Sequence, residues 1–179
     1  MRTILCLTGR SAVGKSTVSK ELATAHDLPW FSFGAYQREL LGANPSDLSL
    51  VQQKYLELWP LHLARISADM SEHGIILEGL YHLSFLEKLQ QSFQHHDIRL
   101  VAIWASKSDR LLFYNGRSGR TEEQRIKSLK DLDDVKKAIG IIDVLKAAER
   151  RYVNVRGDLG SCVKSITRDF GGMDGNRTS

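Results

Sequence analysis

The sequence predicts an α/β protein with a parallel sheet flanked by helices, and three observations predict it. Short apolar runs alternate with amphipathic stretches along the whole chain, the pattern of successive strand-helix-strand units. The first apolar run, from Thr3, is long enough for a buried strand and breaks at Gly9, and an amphipathic pattern begins straight after Gly14. The run over 98–104, Ile-Arg-Leu-Val-Ala-Ile-Trp, is the next strongest strand signal. Five strands with right-handed crossovers are expected.

Each element then follows in order. A helix is predicted over 15–26, with Val18, Leu22 and Ala25 at helical spacing. Asp27-Leu28-Pro29 ends it, and Trp30 to Phe33 reads as the second strand, stopping at Gly34. A short helix over 35–41 carries Arg38, and a loop at 42–46 leads to a further helix. That helix shows Leu48, Val51, Tyr55 and Leu58 as a stripe, is interrupted by Pro60 and resumes through Leu61, Ala64 and Ala68. The third strand is expected over 75–79, followed by helices over 83–93 and 106–115 that flank the strand at 98–104. A charged helix over 122–137 should bury Ile126, Leu129 and Val135, and Gly140 starts one more turn of helix. The fifth strand is placed at 152–155, the last helix at 158–166, and a disordered tail at 171–179.

A chain of 179 residues with 42% hydrophobic content can build one full core, so residues 1–170 are read as one domain. The net charge of +4 comes from basic residues spread along the chain, which suits small anionic ligands as well as nucleic acid. Cys6 and Cys162 form neither a metal-ligand spacing nor a disulfide framework and read as core residues. His95-His96 has no third ligand at metal spacing and reads as a solvated turn. The apolar run after Arg2 is too short for a signal peptide, and no stretch approaches membrane-spanning length, so a cytoplasmic, reducing compartment is expected.

Between the first strand and the first helix stands Gly9-Arg10-Ser11-Ala12-Val13-Gly14-Lys15-Ser16-Thr17, which fits G-x-x-x-x-G-K-[ST], the Walker A pattern. Gly9 and Gly14 allow a tight turn whose backbone N–H groups, from Ser11 through Thr17, converge on phosphate at a helix N-terminus. Lys15 then reaches the β- and γ-phosphates and Ser16 offers a hydroxyl to Mg²⁺, so ATP and Mg²⁺ are the expected cofactors. The alternative is an ordinary surface strand-helix loop. Glu78 closes the third strand on the side where open α/β sheets bind ligands; its alternative is a capping or loop carboxylate.

With the Walker A loop, Gly34, Arg38, Glu78-Gly79, Arg110, Arg117 and Arg120 placed, the chain resembles the nucleoside monophosphate kinase superfamily of P-loop kinases over residues 1 to about 168. The resemblance is to its adenylate-kinase-like and dephospho-coenzyme A kinase-like branch. It implies a P-loop kinase fold with sheet order 2-3-1-4-5, an acceptor-binding region at about 34–72 and a lid at about 115–122. It further implies that Gly34 and Arg38 hold the acceptor phosphate, that Arg117 and Arg120 neutralise the transferring phosphoryl group, and that Asn154 contacts the adenine. Arginine suits the acceptor clamp because its planar fork grips phosphate through two hydrogen bonds. Two departures stand out. Leu80-Tyr81-His82 replaces the arginine that adenylate kinases carry after the strand-three glycine, and Phe31-Ser32-Phe33 lacks the strand-two aspartate of dephospho-coenzyme A kinases.

The leading expectation is a Mg²⁺-dependent phosphotransferase moving the γ-phosphoryl group of ATP to a nucleotide-like acceptor phosphate, with Lys15, Glu78, Arg117 and Arg120 as catalytic groups. A phosphate oxygen is already anionic and needs no general base. The alternative is a kinase of a hydroxyl on a nucleoside, cofactor, sugar or modified nucleic acid, with Glu78 as base and Tyr55, Trp59 and Tyr81 against a ring. Those aromatics equally suit core or lid packing. A third reading is a regulatory NTP-binding protein, although no Asn-Lys-x-Asp guanine motif occurs and Asp169-Phe170-Gly171 has no His-Arg-Asp loop to accompany it.

Overall fold

All six residues of β1 (Thr3–Thr8) are buried, because this strand is the middle of a five-stranded parallel sheet and has strands on both edges and helices on both faces. The structure, a computed structural model, describes residues 2–42, 57–115 and 121–170. β1 leads through the Walker A loop into α1 (Lys15–His26), then β2 (Trp30–Ser32) and α2 (Phe33–Leu41). After α3 (Trp59–Asp69) come β3 (Gly74–Glu78), α4 (Leu83–Ser92), β4 (Asp97–Trp104) and α5 (Lys107–Asn115). α6 (Glu122–Ile139), α7 (Ile141–Ala147), β5 (Arg150–Val153) and α8 (Leu159–Phe170) complete the fold. The sheet order is β2-β3-β1-β4-β5, as expected from the resemblance.

The period-two alternation of β1 sorts its side chains into two cores. Ile4 and Cys6 join Phe31, Phe33, Trp59, Ile66 and Phe85 on one face of the sheet, while Leu5 and Leu7 join Val18, Leu22, Val101, Ile103 and Ile166 on the other. Both cysteines are buried and free, and burial pushes the Cys6 thiol up to about 12, which makes it an inert core group. No helix among the described residues is long and apolar enough to cross a membrane.

Several boundaries differ from the sequence reading. β2 ends at Ser32, not at Phe33, because the Ser32 hydroxyl accepts the Ala35 N–H at 3.3 Å and caps α2. Pro60 does not interrupt a helix: it sits in the first turn of α3, where its missing N–H costs nothing. The first half of the expected kinked pair, with Tyr55, lies outside the described residues. β5 starts two residues earlier than expected, at Arg150, so Asn154 follows the strand instead of lying on it. α8 continues to Phe170, and Asp169 is therefore helical, accepting hydrogen bonds from the Tyr152 hydroxyl and Arg150, both at 2.9 Å. In α6, Leu129 is buried but Ile126 is 38% exposed, since this helix docks through its C-terminal half.

Candidate active site

The site begins with register. Leu7 of β1, Glu78 of β3 and Ser32 of β2 lie in one row across three parallel strands. The row stands at the strand C-terminal ends, two residues before Gly9 on β1, so Glu78 and Ser32 open onto the turn that follows. Gly79 N–H donates to Leu7 O at 2.9 Å and the Thr8 hydroxyl donates to Leu80 O at 2.7 Å, which fixes the two strand ends to each other. Across this junction the Ser16 hydroxyl donates to Glu78 Oε1 at 2.9 Å. Glu78 is buried, and its second oxygen, Oε2, has no hydrogen-bond partner.

A serine hydroxyl beside a buried carboxylate with one oxygen unsatisfied fits Mg²⁺, a hard cation that takes one or two protein oxygens and completes its shell with phosphate and water. Among the described residues no group of three or more His, Cys, Asp or Glu side chains is placed to hold a metal, so such an ion would rely on Ser16, Glu78 and the phosphates of a nucleotide.

The loop itself is wound tightly. Gly14 has φ 81°, and Ala12, which is not a glycine, has φ 55°. A β-carbon on Gly14 would come within 2.2 Å of Asn154 Nδ2, because that amide reaches over the loop and donates to Val13 O at 2.9 Å. The Asn154 side-chain amide thus braces the loop.

Two cavities adjoin the loop and share Ala12, Gly14 and Thr17 as a common wall. The first, about 290 Å³, is lined by Lys15, Ser16, Ser32, Gly34, Gln37, Arg38, Glu78 and Tyr81, and closed by Tyr114 and the α6 residues Leu132, Val135, Lys136 and Ile139. The second, about 300 Å³, lies between Phe113, Asn154, Val155, Gly157 and Leu159. Gly34, Arg38 and Tyr81, named from sequence as acceptor groups, are therefore brought together with Lys15 and Glu78. Trp59 is not: it is packed in the core with its ring centroid 4.9 Å from that of Phe85. Arg117 and Arg120 lie outside the described residues.

Sequence reasoning missed Lys136. Its amine stands 4.4 Å from the Tyr81 ring centroid, and Lys15 Nζ is 5.7 Å from the same ring. Burial pushes the Lys136 amine well below the usual lysine range, and repulsion from Lys15 adds to it. Burial likewise lowers Lys15, to about 8, against the opposing pull of Glu78. Lys15 Nζ donates to the loop's own Arg10 O at 2.9 Å. The signal for Lys136 was available: Leu132, Val135 and Ile139 recur at helical spacing, and Lys136 falls on their face. Gln37 was also missed; it is 1% exposed, lines the first cavity and has an unpartnered Nε2. Nothing in its residue type announced it beside Arg38.

In sequence the chain matches no family model and no curated protein. In structure it is similar to shikimate kinase from Bacteroides thetaiotaomicron, with TM-score 0.64 and 15% identity over 94% of this chain and 98% of that one. A gluconokinase from Sinorhizobium meliloti 1021 superposes with TM-score 0.57 and 17% identity over 97% of this chain and 95% of that one. An uncharacterized protein from Eubacterium ventriosum superposes with TM-score 0.66 and 13% identity over 96% and 99%. With the sheet order β2-β3-β1-β4-β5 and a Walker A loop between β1 and α1, the fold of this chain is that of the P-loop kinases.

Proposed function

We propose that the protein is an ATP- and Mg²⁺-dependent phosphotransferase acting on a small-molecule acceptor, with residues 1–170 as one catalytic unit. The observation that carries this reading is the pair of cavities sharing one wall of the Walker A loop, since a transferase must hold donor and acceptor on either side of the phosphate being moved. Phe113, Val155 and Leu159 offer the apolar walls a base requires, and the opposite cavity offers Arg38, Lys136, Gln37 and Tyr81 to an acceptor. Bound Mg-ATP would supply the phosphoryl group. The chain's part is to place Lys15, and Lys136 once a bound anion favours its charged form, where negative charge develops, with Arg117 and Arg120 contributing as the family resemblance implies.

The acceptor we favour is nucleotide-like and attacks through a phosphate oxygen. Glu78 is the only carboxylate among the described residues that line the first cavity, and one of its oxygens already accepts from Ser16. The end of β2 offers Ser32, Gly34 and Gln37, none of which takes up a proton at neutral pH. An anionic acceptor oxygen needs no such group. The second reading, a hydroxyl acceptor with Glu78 as base, is favoured by the similarity to kinases named for shikimate and gluconate. Incubating the protein with labelled ATP, Mg²⁺ and a panel of nucleotides, nucleosides, hydroxy acids and cofactors decides among them. Label on a phosphate acceptor supports the first reading, label on a hydroxyl the second, and label only in inorganic phosphate would sink both in favour of a regulatory NTPase.

A further inference from the structure

We infer that Arg110 and Asp133 are positioning residues that hold the phosphate loop in its anion-receiving shape before any ligand arrives. The inference rests on the reading of residues 9–17 as a phosphate site. Arg110, on α5, donates from Nε to Ser11 O at 2.8 Å and from its terminal nitrogen to Asp133 Oδ2 at 2.6 Å. Asp133, on α6, uses its other oxygen, Oδ1, to accept the Ser11 N–H at 3.1 Å. Both main-chain polar groups of Ser11 are thereby fixed by side chains about a hundred residues away, and the ion pair that fixes them is nearly buried, with side-chain exposures of 10% and 12%.

The residue so held precedes Ala12, whose φ of 55° puts a β-carbon-bearing residue in the left-handed region. A free loop would relax from that conformation. Clamping Ser11 from both sides, together with the Asn154 bond to Val13 O, leaves Ala12 no room to do so. A loop held in this way needs less ordering when an anion binds, which removes an entropic cost from binding. The same clamp also sets α6: Asp133 and Lys136 are three residues apart on one face, so pinning the first to the loop brings the amine of the second over Tyr81.

A buried ion pair with a purely structural role can be replaced by apolar residues of similar volume without loss of stability. The test is therefore the double variant Arg110→Met/Asp133→Leu, compared with wild type for Tm and for affinity toward inorganic tripolyphosphate and Mg-ATP. Because the Ser11 N–H and carbonyl also lose their partners, we expect Tm to fall by several degrees, as for other lost loop hydrogen bonds, and both Kd values to rise about tenfold or more. Asp133→Asn, which keeps an oxygen for Ser11 but no charge for Arg110, should fall between the two, and it gives the same reading should the double variant not fold. Equal Kd values in wild type and both variants would overturn the positioning role while leaving the phosphate site intact. A wild type that binds neither tripolyphosphate nor Mg-ATP would overturn the phosphate-site reading itself, and the clamp with it.

Discussion

Ser16 and Glu78 lie 62 residues apart in sequence and are joined by a 2.9 Å hydrogen bond at the C-terminal edge of the sheet. That bond places the hydroxyl expected to meet Mg²⁺ against a buried carboxylate that could share the ion. Glu78→Gln keeps the shape and removes the charge. With a phosphate acceptor, kcat should fall and extra Mg²⁺ should restore part of it, because only metal organisation is weakened. With a hydroxyl acceptor, the general base is gone, and the rate should drop by roughly 10² to 10⁴ at every Mg²⁺ concentration. A Mg²⁺ titration of both proteins separates the outcomes, and identical titration curves would remove Glu78 from the site.

Lys15 provides a pH signature. Burial lowers its amine to about 8, so phosphate affinity should fall as pH rises through that value and the free amine loses its charge. Calorimetry near pH 8 in buffers of different ionisation enthalpy should show proton uptake when tripolyphosphate binds, since the anion favours the charged amine. The stability effect has the opposite sign. Unfolded Lys15 titrates near 10.5, so between about 8 and 10.5 the unfolded chain binds more protons and stability rises with pH. Lys15→Met should thus be more stable than wild type at pH 7, by a margin that shrinks toward pH 10, and should lose about 10² or more in transfer rate. Equal Tm values for the two proteins at pH 7 would contradict the burial cost.

Asn154 and Gly14 test the loop's packing. Asn154→Ala leaves the buried Val13 carbonyl without its donor, a loss of about 1–3 kcal/mol that should lower Tm by roughly 3–10 °C. Gly14→Ala should be worse, because φ 81° strains any β-carbon and Asn154 Nδ2 blocks it. Adding Asn154→Ala to Gly14→Ala should relieve the clash but not the strain. Thermal melts of the three variants measure this; full recovery in the double variant would mean that backbone strain contributes nothing.

Arg38 is exposed yet lines the first cavity, beside Gly34. One of its guanidinium nitrogens lies 3.6 Å from where a β-carbon on Gly34 would stand, and a ground-state contact to the acceptor's phosphate is expected there. Arg38→Ala should raise the acceptor KM by about tenfold and leave the KM for ATP unchanged. Steady-state kinetics with each substrate varied in turn would reveal an effect on ATP alone, which would contradict the acceptor assignment.

The sequence by itself determined everything that local periodicity and fixed spacing can encode. The Walker A loop needs its glycines, Lys15 and Ser16 within eight consecutive positions, and a continuously apolar β1 must bury both faces, so the loop, the sheet class and the buried cysteines could be read before any contact was known. Gly34, Arg38 and Tyr81 follow strand ends, and strand ends converge in a parallel sheet. What tertiary structure alone decided are the partnerships across the chain: Ser16 with Glu78, Ser11 with Asp133 and Arg110, Asn154 with Val13, and Lys136 above Tyr81. Helical spacing puts Lys136 on the face of Leu132, Val135 and Ile139, but no local pattern names its partner or the others, because which residues meet across the sheet edge is set by how the elements dock. The same docking left Ile126 exposed although its spacing promised burial. Periodicity names the face of a helix, but only the neighbour it packs against decides how far along its length that face is used.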